Sequence, residues 1–350
     1  MPRQRKPLES PPRREPAWTR LPDEELLDLR FCDLKLTLRG SLIEPRLARS
    51  YAELERRGLK FRPHVWLAEE WFSPDGIPGF AIPFYLAHPR LMRLERQFMH
   101  EVEGGNENWS MRILRHETGH AIDTAFRLRR RKDWRRTFGR ASRPYPDIYR
   151  PHPASRRFVL HLGHWYSQSH PTEDFAETFA VWLQPRARWR REYHDWPALK
   201  KLEYMDEVMQ ELQGRMPVLR SRDVVEPLSE NRRTLRQHYR RKVRRYEIRN
   251  AEAYDRRLVR VFGRRTQHPG RPPAANFLRQ VGPQLHRLLS RRSRLHPYFT
   301  HHVLRTAVQR CRDLDLVVTR PLHEAKRDAL GLLERIMIDI LRRDREKFAL

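Results

Sequence analysis

Two cysteines in 350 residues, Cys32 and Cys311, leave nothing from which to build a disulfide framework, and no CxxC or Cys/His pairing suggests a zinc ribbon. Both read as reduced, buried thiols. Long hydrophobic runs are missing too. The longest, Gly79 to Ala87, is about half the roughly 20 residues that a membrane helix needs, and it contains a proline. The opening MPRQRKPLESPPRREP is basic but passes into prolines and acids where an export signal needs an apolar stretch. The expectation is a cytoplasmic protein with no membrane partner. Acidic residues are scarce, 44 against 72 Lys and Arg, for a net charge of +28. That balance predicts attraction to polyanions, whether nucleic acid, anionic membrane surfaces or acidic proteins, and says nothing about fold.

The charge is uneven. Residues 215–350 hold 34 basic against 14 acidic side chains, +20 of the total, and from Arg256 to Arg312 there are 14 arginines with no Asp or Glu. Basic helices are often solvated faces whose aliphatic stems cover a core, but this run exceeds what solubility asks for. A separable basic module that docks on nucleic acid or an acidic protein is the reading.

Along the chain, residues 1–20 are Pro/Arg-rich without periodic hydrophobics and predict a disordered basic tail. Two helical patterns follow up to Arg57, the second, LIEPRLARSYAELERRG, stopping at Gly58. Phe61–Phe72 and Gly76–Ala87 are rich in aromatic and branched residues around SPDG, and predict a hairpin or neighbouring strands. Asn108 is the expected cap of a helix running toward Arg131. Helices are expected around Phe158–Tyr166, from Pro171, and from Pro197 to Leu212. Beyond Met216 the pattern is wholly helical, over about 226–262, 274–293, 297–312 and 321–346. The fold class is therefore α+β, in three parts: the tail 1–20, a strand-bearing domain 21–214 and a basic α-helical extension 215–350.

The chemistry concentrates in HETGH, residues 116–120. Four residues are about 1.1 helical turns, so His116 and His120 project from one face and can reach one zinc ion. Glu117 is turned about 100 degrees away, able to address a water beside the metal without being a ligand. Chance supplies on the order of 0.05 such matches in a chain of this composition. A catalytic zinc takes three protein ligands and keeps a position open. HPTEDFAETFAVWL supplies the third: Glu173 and Glu177 lie one turn apart, while Phe175, Phe179 and Leu183 can bury the other face. Zinc on Glu173 and a histidine N–H on Glu177 would keep the two carboxylates from repelling.

LRHETGHAID, followed by Tyr166 and then Glu173-DFA-Glu177, resembles the zinc site of the anthrax lethal factor type of gluzincin, and more closely that of a bacterial family of zinc-binding metallopeptidases. The likeness covers roughly residues 90–215. It implies a zincin-like core, with His116, His120 and Glu173 as ligands, Glu117 as general base, Tyr166 as oxyanion donor and Glu177 behind the ligands. The expected function is hydrolysis of peptide or protein substrates. The alternative, from another class, is a nucleic-acid- or acidic-protein-binding protein whose zinc is structural or whose site is inactive. His161 and His164, three apart, are expected to pack rather than ligate. His301 and His302 point in different directions on a helix. The Phe61–Ala87 segment is read first as core, and second as an edge that an extended substrate could pair with.

Overall fold

A computed structural model describes residues 15–146, 152–245, 251–293 and 297–343. The chain is mixed α/β and mostly helical. Helices α1 (Asp23–Leu27) and α2 (Glu44–Arg56) precede strands β1 (His64–Ala68) and β2 (Gly79–Pro83); then come α3 (Pro89–Met99), α4 (Glu107–Ala125) and α5 (Lys132–Phe138). Next are α6 (Pro171–Leu183), α7 (Trp189–Glu192), α8 (Leu199–Glu211) and α9 (Leu235–Arg245). The C-terminal part holds α10 (Asp255–Val261), β3 (Gly263–Arg264), α11 (Ala274–Ser293), α12 (Pro297–Asp313), β4 (Leu316–Val317) and α13 (Leu322–Arg343).

Several boundaries differ from expectation. β1 and β2 are neighbouring strands, the second of the two expectations, but they pair in parallel, His64 with Gly79 through Ala68 with Pro83, and so form no hairpin; SPDG lies in the crossover between them. On its other side Ala81 already bonds the Phe72 carbonyl, which closes the middle of the β2 edge to an added strand. Asn106 rather than Asn108 caps α4, its side chain accepting from the Trp109 N–H at 2.9 Å, and the helix ends at Ala125. The expected helix at Phe158–Tyr166 is a 3-10 turn over Gly163–Gln168.

The last residues of the expected tail are folded. Ala17–Arg20 form a 3-10 turn, and the buried Trp18 donates its indole N–H to the Leu34 carbonyl, while residues 1–14 lie outside the described region. The expected helix 226–262 is α9 and α10, with residues 246–250 outside the described region, and the extension carries the two-residue antiparallel pair β3–β4. Of the two thiols, Cys311 is buried and Cys32 only half-buried.

Two large apolar cores result, beside a small cluster of Trp66, Ala68 and Ala81 on the strands. One runs from Trp18 to Tyr239 and holds both strands, α4, α6 and α8; the other runs from Tyr254 to Ile340. The first core therefore extends past 214, to Tyr239. Residues 215–245 return to the first core: Leu219 N–H bonds the Ala125 carbonyl, Leu228 N–H bonds Leu67, Phe31 N–H bonds Arg233, and Leu235 N–H bonds Leu29. Their charges pair inward as well. Arg233, Arg241 and His238 converge on Glu69, Arg236 reaches Glu24 and Asp28, and Lys242 reaches Glu95.

α6 is buried along its whole length, which is why its sequence shows apolar residues all round with three acids among them. Each acid has a partner; Asp174, for example, meets Lys201 at 2.6 Å. α4 and α6 cross with almost no space between them. A Cβ on Gly119 would lie 2.8 Å from the Ala176 Cα, so glycine is required at that crossing. The other flank of α4 is tied to α2 by a buried two-pronged bond from Arg115 to Glu53, at 2.7 and 2.9 Å.

Candidate metal centre

Gly119 lies between His116 and His120, and Ala176 between Glu173 and Glu177, so the helix crossing brings these four side chains face to face. His116 Nε2 and His120 Nε2 are 3.1 Å apart, and each is 3.1 Å from Glu173 Oε2. All three residues are buried or nearly so. Among the described residues this is the group of His, Cys, Asp and Glu side chains whose donor atoms converge closely enough to share an ion.

Behind it, His116 Nδ1–H donates to Glu177 Oε1 at 2.9 Å, and Glu177 Oε2 accepts the Leu162 backbone N–H at 2.8 Å. With Nδ1 committed, a neutral His116 presents an Nε2 lone pair toward the other two donors. Three electron-rich atoms about 3.1 Å apart then face one another, an arrangement that needs a proton or a cation between them. Ligand atoms around a tetrahedral zinc lie about 3.3 Å apart, so the residues fit a metal with little movement. Without one, burial would lower the His116 pKa, but its hydrogen bonds to the Glu173 and Glu177 carboxylates, and their charges, outweigh it and hold the ring well above its ordinary value. Glu173 is shifted the opposite way: burial would raise it, and the two histidines pull it well below the usual carboxylate range.

Glu117 does not join the group. Its Oε2 accepts a 2.7 Å hydrogen bond from Ser73 Oγ, in the crossover between β1 and β2. That crossover is tethered in turn: Asp123 accepts from the backbone N–H and Nε of Arg129, and Arg129 reaches Asp75. The Tyr166 ring lies 5.6 Å from the His116 ring, next to Trp165, whose φ of 55° is in the left-handed region. Burial and the neighbouring carboxylates push its phenol well above the ordinary tyrosine value, so it stays a proton donor.

A second tyrosine escaped the sequence reading. Tyr145 donates to Glu173 Oε1 at 2.6 Å, lies 2.5 Å from Thr172 Oγ1, and stacks on His170 with ring centroids 3.8 Å apart. His170 caps α6 and bonds the Arg143 carbonyl at 2.7 Å, which fixes this segment against the helix start. Tyr145 belongs to the proline-containing connection, whose residues 147–151 lie outside the described region; a loop has no periodicity to mark a functional position.

The histidines set aside fall elsewhere. His161 bonds the Arg112 carbonyl at 2.9 Å, and burial depresses its pKa to about 4, as suits a packing residue. His301 faces His100 with ring centroids 4.0 Å apart, where the second core meets α3. No described helix is long and apolar enough to cross a membrane. Comparison with protein families, with curated proteins and with solved structures finds no match to this chain.

Proposed function

We propose that the chain is a zinc-dependent peptidase, with α4 and α6 as the centre of a zincin-like core. The observation that carries this reading is a convergent His–His–Glu set with a further carboxylate, Glu117, on the same helix but outside the set. Structural zinc sites are closed by four protein ligands, whereas catalytic sites use three. The three-residue group supports the second kind, and its nitrogen and oxygen donors suit zinc.

His116, His120 and Glu173 would hold the ion, and Glu177 keeps the His116 lone pair directed at it. Zinc there supplies a Lewis acid that polarises a carbonyl and acidifies water. Glu117, oriented by Ser73, takes a proton from the attacking water and returns it to the leaving amine. Tyr166 donates to the oxygen that gains charge at the scissile carbon.

Glu117→Gln tests the reading, because the amide keeps the size and the Ser73 contact while losing the proton-accepting carboxylate. The variant should bind zinc like wild type in metal analysis and fail to cut any peptide that wild type cuts. Peptide turnover by Glu117→Gln at the wild-type rate overturns the assignment.

A further inference from the structure

Beside the metal centre, Phe138, Gly139, Arg140, Ser142, Arg143 and Pro171 line an open cavity of about 430 Å³. This is within the range of about 300–1,000 Å³ typical of small-ligand sites. Its position follows from bonds already described. The lining residues lead directly into Tyr145, whose hydroxyl bonds Glu173, and Pro171 is two residues before Glu173 on α6. The cavity therefore adjoins the start of α6, two residues from Glu173, and the segment that carries Tyr145.

The charge of the lining is one-signed. Arg140 and Arg143 are exposed and form no ion pair among the described residues. Of the arginines before them, Arg129 holds Asp123 and Asp75 and Arg131 holds Asp133 and Glu211, while Arg135 and Arg136 likewise form no ion pair among the described residues but do not line the cavity. Two guanidinium groups beside a cavity, with five N–H donors each, match a carboxylate, and they repel a basic side chain.

We propose that this cavity receives a carboxylate of the substrate, so that the chain acts on acidic peptides anchored by Arg140 and Arg143. The inference rests on the peptidase reading and names its substrate class. The carboxylate has two possible sources, an Asp or Glu side chain or a free peptide C terminus.

The test uses full-length, zinc-loaded Glu117→Gln protein and fluorescent octapeptides on an alanine background. One Glu or one Gln is moved through every position, and each peptide is made with a free and an amidated C terminus. At one position Glu should bind at least about tenfold more tightly than Gln if the side chain is the anchor, or the free terminus should outbind the amide by as much if the terminus is. The preference should disappear in Arg140→Gln/Arg143→Gln and persist in Arg140→Lys/Arg143→Lys, with zinc content confirming that each variant is folded. A preference that survives Arg140→Gln/Arg143→Gln belongs to the basic C-terminal region and overturns the proposal, as does equal binding, or no binding, of all peptides. Hydrolysis by zinc-loaded protein with a native Glu117 separates the two ideas. Cleavage without an acidic preference removes the cavity assignment alone, and an acidic preference in binding without any cleavage removes the peptidase reading alone.

Discussion

Two tyrosines reach the His–His–Glu group from different segments, and replacing each by Phe separates their parts. Tyr145 touches the ligand Glu173, so Tyr145→Phe should weaken zinc binding about 10–100-fold, as loss of a bond to a ligand commonly does. Tyr166 meets the His116 ring only through its own ring, a contact that Phe keeps, so Tyr166→Phe should keep zinc and lower turnover about a hundredfold, read as kcat with KM little changed. His161 supplies a pH test. Its folded ring takes a proton only near pH 4 and its unfolded ring near 6.5, so the stability contributed by the neutral ring is complete above about 6.5 and lost as pH falls toward 4. The loss reaches about 3 kcal/mol. Gln retains an N–H for the Arg112 carbonyl and does not titrate, so the stability advantage of wild type over His161→Gln in urea unfolding should shrink by that amount between pH 7 and 4. At this scale the sequence made His116, Glu117, His120, Glu173 and Glu177 legible because helical spacing puts meaning into intervals. Ser73 and Tyr145 were not legible, because their place depends on where two loops fold back.

The pairing of α4 with α6 rests on the smallest side chains at their crossing. Gly119→Ala puts a methyl against backbone that cannot swing aside, so the helices must part. The expected cost is about 1–3 kcal/mol in chemical unfolding, together with weaker zinc binding, because His120 and Glu173 move apart with the helices. Unchanged stability and zinc affinity in Gly119→Ala would mean that the crossing tolerates separation. The glycine inside HETGH is therefore explained by packing, and nothing in the sequence alone identified Ala176 as its partner. The strands were legible as strands from their aromatic and branched residues, but their mutual direction was not. SPDG is turn chemistry in either topology, and the parallel arrangement depends on the Glu69–Pro78 crossover and on Phe72 occupying the far side of β2.

Over the whole molecule, the separation of charge from site lies further along than composition suggested. Between 215 and 245, Arg233, Arg236, Arg241 and Lys242 pair with acids of the first core, and Glu69 is held down to about pKa 2 by His238, Asn231 and Arg233 although burial alone would raise it. A chain ending at Gly214 loses Leu228, Leu235 and Tyr239 from that core and should fail to give a cooperative unfolding transition. A chain ending at Arg245 should fold and keep zinc. It should also lose most nucleic-acid affinity, since residues 246–350 carry 23 basic against 11 acidic side chains; salt-dependent binding to duplex DNA by the two lengths checks this. Composition could not reveal that boundary, because an arginine paired with a distant glutamate reads the same as a free one. The returning segment also orders events during synthesis. Its bonds span up to 212 positions, so the first core cannot close until residues near 240 have left the ribosome. Glu173 emerges several seconds earlier at about 5–20 residues per second. On the proposed metal reading, the three donors would for that interval meet the metals of their surroundings before the finished geometry exists to discriminate among them, and the first ion to enter would be set by availability more than by fit.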